Sequence, residues 1–181
     1  MNIEVELRSF ISKELYLKLK DFFEKEGQLI SSDNQETHYF DTIKDIRIQR
    51  NNYFSKIWMK KGKLHDNHRE EMEIKCGKDD FKKLIHLFES ANISTTIKWF
   101  RKRHTFEWQG ISVMLDYTKG YGYIIELEKM SNSEEKEQTV QLLKQKFSQL
   151  NIPITPKEEF NERYNHYKDN WKELTQELNY Q

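Results

Sequence analysis

The chain has little of what usually constrains a fold from outside its core: one cysteine, two prolines and six glycines in 181 residues. A lone Cys76 excludes an internal disulfide and a multi-cysteine zinc site, and the expectation is a reducing compartment, the cytoplasm. With no Gly/Ser-rich run to mark a linker, residues 1–181 read as a single domain. No apolar run approaches the roughly 18 residues of a membrane span, and MNIEVELRS lacks the basic and apolar regions of a signal peptide, so no membrane partner is expected. Net charge is also missing: 30 basic residues balance 30 acidic ones, which argues against a generic nucleic-acid binder. Charge here must act through its placement.

What the chain does have is alternation. Period-two patterns predict strands over 2–10, 37–42, 46–50, 55–62, 68–76, 99–108, 111–118 and 121–130. Apolar residues at spacings of three and four predict helices over 12–26 and 79–92, with Ser12 and Asp79 as N-caps. A third helix is predicted from Ser133 to near Asn151, and a fourth over 157–178 that packs an aromatic stripe on the body. Residues 62–68, with His65 and His68, and 131–134 read as loops, and GYGY (120–123) as a turn into the last strand.

Separating the two faces of each strand gives an apolar side, which includes Ile3, Val5 and Leu7, Met72 and Ile74, Val113 and Leu115, and Ile125 and Leu127. The other side carries Glu4, Glu6, Arg8; Arg47, Gln49; Lys56, Trp58, Lys60; Arg69, Glu71, Glu73, Lys75; Arg101, Arg103, Glu107; Asp116; Glu126, Glu128. For one strand this is the ordinary solvent face of an antiparallel sheet. Across many strands it is unusual, because like charges two residues apart, such as Glu4/Glu6, Glu126/Glu128 and Arg101/Arg103, repel unless opposite charge lies between them. Carboxylate clusters suit Mg²⁺ or Mn²⁺, and Arg and Lys suit phosphate oxygens. A metal-bound polyphosphate answers both sets.

In order along the chain, Glu4-Val5-Glu6-Leu7-Arg8, YFDT (39–42), IRI (46–48), WMKKG (58–62), REEME (69–73), RKR (101–103) and GYGYIIELE (120–128) resemble the CYTH family, the triphosphate tunnel metalloenzymes. The resemblance runs over residues 2–150. It implies an α+β fold, an eight-stranded antiparallel barrel with a charged lumen covered by helices. It also implies Glu4, Glu6, Glu126 and Glu128 as metal-side carboxylates with Asp116 supporting the ions. Glu71 and Glu73 then support catalysis together with Arg8, and Arg8, Arg47, Lys56, Lys60, Arg69, Arg101 and Arg103 form a phosphate clamp. Two positions depart from the family pattern: Arg8 stands for the hallmark lysine, and Gln49 for the usual second arginine after Arg47. Arginine stays protonated and cannot serve as a base. Trp58, on the charged face, is expected to narrow the lumen.

The resemblance implies a Mg²⁺- or Mn²⁺-dependent enzyme acting on a triphosphate: ATP or another nucleoside triphosphate, thiamine triphosphate or tripolyphosphate. Hydrolysis makes fewer demands on the site than cyclisation of ATP by its ribose 3′-hydroxyl. The alternatives are therefore a class IV adenylyl cyclase or a binding module without turnover, as monomer or homodimer. No H-E-x-x-H, G-x-S-x-G or Walker A pattern offers a competing chemistry.

Overall fold

The structure, a computed structural model, describes residues 3–61 and 70–176. The loop expected over 62–68 lies outside the described residues. Eight strands form one antiparallel sheet: β1 (Ile3–Ile11), β2 (Gln28–Phe40), β3 (Asp45–Arg50), β4 (Ser55–Lys61), β5 (Glu70–Cys76), β6 (Thr95–Trp108), β7 (Ile111–Thr118) and β8 (Gly122–Ser131). Their spatial order is β1-β8-β7-β6-β2-β3-β4-β5. Four helices accompany them: α1 (Lys13–Glu26), α2 (Phe81–Ser90), α3 (Lys136–Gln149) and α4 (Lys157–Gln176). The fold class is α+β. The closing β1–β5 ladder of a barrel is not present among the described residues. Part of the edge of β1 is occupied instead by the segment before α4, where the Phe10 amide donates to Thr155 Oγ1 at 2.9 Å and Ser9 Oγ donates to the Pro153 carbonyl at 2.5 Å.

Alternation dictates which face each strand buries. Val5, Leu7, Phe106, Trp108, Val113, Leu115, Ile125 and Leu127 form one core with Tyr16, Leu19 and Phe23 of α1 and Leu143 and Phe147 of α3. Phe23 meets Trp108 edge-on at 5.4 Å, a favoured aromatic geometry. α2 makes a smaller core with Phe40 and Ile48, and Phe40 and Phe88 lie 4.5 Å apart. This helix does not extend over β5, so Met72 and Ile74, expected on a covered apolar face, are exposed.

Ser12 caps α1 by accepting from the Leu15 amide at 3.1 Å. Ser12→Ala is expected to cost about 1 kcal/mol in a urea unfolding experiment, because it strands one of the helix's orphan amide donors. Asp79 is not the cap of α2. A 3-10 turn over Lys78–Asp80 precedes that helix, and Asp80 accepts from the Gly77 amide at 3.0 Å.

β2 begins far upstream of the predicted residue 37. The run SSDNQE has no apolar alternation to reveal it, yet it pairs with β6, setting Asp33 opposite Arg103 and Gln35 opposite Arg101. Tertiary pairing overrides weak local propensity there.

α4 lies across one end of the strands. Tyr167 Oη donates to the Lys98 carbonyl at 2.7 Å and Trp171 Nε1 to the Thr96 carbonyl at 2.9 Å. Gly120, at φ +74°, permits this approach, since a Cβ there would stand 2.7 Å from Leu174 Cβ. Among the described residues no helix is long and apolar enough to cross a membrane.

Candidate active site

The faces opposite the core line a cavity of about 280 Å³. Glu4, Glu6, Arg8, Arg47, Lys56, Trp58, Arg101, Arg103, Asp116, Glu126 and Glu128 all line it, together with Gln49. Glu73 joins through Lys56, whose Nζ lies 2.5 Å from its Oε2. Arg69 and the side chains of Lys60 and Glu71 lie outside the described residues, although the strand register sets Lys60 opposite Glu71.

The cations are held in place by short charged contacts. Arg103 donates to both oxygens of Asp116, Nε to Oδ1 at 2.8 Å and Nη2 to Oδ2 at 2.7 Å, and reaches Glu126 at 3.3 Å. Burial opposes its charge, but Asp116 and Glu126 outweigh burial and raise its pKa. Burial likewise works against the Asp116 carboxylate, and Arg103 and Arg101 prevail, holding it below the usual carboxylate range. Arg47 forks onto Asp45 at 2.7 and 2.6 Å, with its guanidinium 4.4 Å from the Tyr39 ring centre. Trp58 does more than narrow the cavity, since Lys56 Nζ sits 4.6 Å from its ring centre and Arg47 lies 5.7 Å away on the same ring.

The acidic residues converge from the neighbouring strands β1 and β8. Glu6 is opposite Glu128, and Arg8 is opposite Glu126. Arg8 approaches Glu6 at 3.6 Å and the Phe160 ring centre at 5.2 Å. Burial, then Glu4 and Glu126, push the Glu128 carboxyl up to about 8. Among the described residues no three His, Cys, Asp or Glu side chains stand close enough together to form a ready-made cation site.

Sequence reasoning missed the aromatic end of the cavity, where Tyr39, Trp99, Tyr121, Phe160 and Tyr164 join the lining. Trp99 was legible, because it shares the parity of Arg101 and Arg103. Tyr121 precedes Gly122 in a turn, and Phe160 and Tyr164 arrive on α4, so no strand period points to them. Gln35 and Asp45 were missed as well, the first because its strand was unseen.

A family model for the CYTH domain matches residues 2–159. The chain belongs to the CYTH family. Solved structures similar to this CYTH chain include the PH1819 protein of Pyrococcus horikoshii OT3, at 21% identity over 83% of this chain and 92% of that one, TM-score 0.68. A second is a Hippeastrum adenylyl cyclase candidate described as having a dominant triphosphatase activity, at 20% identity over 84% and 89% of the two chains, TM-score 0.65. A third is a candidate adenylate cyclase of Vibrio parahaemolyticus, at 17% identity over 87% and 96%, TM-score 0.65. At these identities the likeness speaks to fold. No curated protein sequence matches the chain.

Proposed function

We propose that this CYTH protein is a divalent-metal-dependent phosphohydrolase whose substrate is a triphosphate, held along the charged cavity as in a tunnel. The observation that carries this is the lining itself: guanidinium and ammonium groups from β1, β3, β4 and β6 share one cavity with four glutamates of β1 and β8. The cavity falls just below the roughly 300–1,000 Å³ of pockets that hold drug-sized ligands, which suits a compact triphosphate chain better than a whole nucleotide.

Glu4, Glu6, Glu126 and Glu128 would hold Mg²⁺ or Mn²⁺. Their oxygen donors are the type these hard cations take, and burial first, then the neighbouring Glu4 and Glu126, disfavours the charged form of Glu128 while no cation is bound. A bound cation supplies neutralisation of phosphoryl oxygens and activation of water. Arg8, Arg47, Lys56, Arg101 and Arg103 grip the phosphate oxygens and stabilise charge that develops on them. With its carboxylate committed to two guanidiniums, Asp116 positions the arginines. Lys60 and Arg69 remain part of the proposed clamp, and Glu71 with Glu73 a proposed support of catalysis, by sequence position.

The test is ³¹P NMR of protein incubated with tripolyphosphate or ATP in Mg²⁺ or Mn²⁺. Orthophosphate appearing from tripolyphosphate, and ceasing when the metal is chelated, is the expected result. Pyrophosphate with a cyclic phosphodiester signal from ATP would make the protein a cyclase. Shifted phosphate resonances without product would make it a binding module.

A further inference from the structure

Five cationic side chains line the described cavity, and each approaches a carboxylate, but not equally. Arg103 and Arg47 each fork onto an aspartate, Lys56 meets Glu73, and Arg8 approaches Glu6. Arg101 is held differently. Its Nε and Nη2 both donate to Gln35 Oε1, at 2.9 and 2.6 Å, and that oxygen is neutral. Its carboxylate contact among the described residues, Nη1 to Asp116 Oδ2, is long at 3.3 Å and falls on the oxygen that Arg103 takes at 2.7 Å. Arg101 thus shares Asp116 with Arg103, which also reaches Glu126 at 3.3 Å.

The orientation of the Gln35 amide is fixed by its surroundings. Its Nε2 donates to Asp33 Oδ2 at 3.2 Å, and its Oε1 faces Arg101. A flipped amide would set an NH₂ against a guanidinium and an oxygen against a carboxylate, both repulsive. Gln49 adds to the same arrangement. Its Nε2 donates to Thr37 Oγ1 at 2.9 Å and, more weakly, to Gln35 Oε1 at 3.4 Å. An arginine at position 49 would bring a further positive charge to this spot, whereas glutamine supports Gln35 with no charge at all.

We propose that Gln35 is a positioning residue that orients Arg101 without neutralising it, leaving Arg101 as an anchor for a phosphoryl oxygen. A glutamate of the same shape would make the same fork and cancel the charge that the substrate must meet. The departure at Gln49 then belongs to a neutral amide pair that keeps the anchor electrically available. This inference rests on the triphosphate reading of the cavity.

The direct test is the charge-conserving swap Asp33→Asn with Gln35→Glu. It moves one carboxylate from the outer to the inner member of the chain of hydrogen bonds and retains every donor and acceptor between them. Tripolyphosphate binding measured by calorimetry in Mg²⁺ is expected to weaken about tenfold, with KM rising and kcat changing less. A folded swap variant that binds as tightly as wild type would overturn the role of Gln35 and leave the triphosphate reading standing. Absence of tripolyphosphate binding to the wild-type protein would overturn both. Should the swap fail to fold, Gln35→Ala decides the matter: it frees Arg101 without cancelling its charge. It is expected to lower kcat at least tenfold while KM moves less, and unchanged kcat and KM would contradict the inference.

Discussion

Asp116→Ala is expected to destabilise the protein by about 3 kcal/mol and to abolish turnover. The size follows from what the substitution leaves behind, because removing one partner of a buried ion pair strands uncompensated charge. Asp116 is 3% exposed and takes both donors of the Arg103 fork as well as a third from Arg101. Without it, two guanidiniums two residues apart on one strand face share no aspartate, and Glu126 at 3.3 Å is the remaining acidic contact of Arg103 among the described residues. Tripolyphosphate should restore part of the lost stability, since phosphate oxygens occupy the place of the missing carboxylate. Thermal melts of variant and wild type, with and without tripolyphosphate, check this. A larger ligand-induced rise in Tm for the variant is the predicted signature, and equal rises would argue that the arginines do not meet the ligand.

The metal-free protein should lose stability as pH rises from about 5 to about 8. Glu128 in the folded state titrates near 8, raised by burial and by Glu4 and Glu126 from an ordinary value of 4.5. Between those two pH values the folded chain keeps a proton that the unfolded chain has released. Stability therefore falls with rising pH, by at most about 1.4 kcal/mol per pH unit for one proton, and levels off above the folded pKa. The opposite trend expected from Asp116, whose pKa is lowered, belongs to the acid side of its ordinary value of 3.8. His104, whose pKa burial lowers from 6.5, opposes the Glu128 slope in the lower part of the window, so the difference between wild type and Glu128→Gln isolates Glu128. Urea unfolding at a series of pH values in a chelator measures the slope. Glu128→Gln should flatten it, and Mg²⁺ or Mn²⁺ should stabilise the wild type most at the alkaline end. A slope unchanged in Glu128→Gln would show that the crowding of these glutamates is relieved some other way.

Much of this architecture can be read directly from period-two alternation. Ile3, Val5 and Leu7 against Glu4, Glu6 and Arg8 already separate core from cavity, and repeating that separation on later strands predicts convergence of charge without any coordinates. The method fails where a residue's face is set by its partner and not by its neighbours in sequence. Asp33 and Gln35 sit in a polar run that becomes strand only by pairing with β6, so the support of Arg101 was invisible. Phe160 and Tyr164 were legible as a helical stripe, but a stripe does not reveal that it closes the end of a cavity. The side chains that pair also escape such reading: parity puts Asp116 beside the arginines, whereas its commitment to both of them is a matter of rotamers and distance.

The carboxylates of β1 and β8 and the arginines of β6 are expected to act together on one metal-bound triphosphate. Crystals grown with Mn²⁺ and tripolyphosphate address it directly through the anomalous signal of manganese. The account predicts a manganese peak inside the cavity against Glu6, Glu126 or Glu128, with phosphate density reaching the guanidinium of Arg101. Manganese and phosphate found only outside the cavity would contradict it.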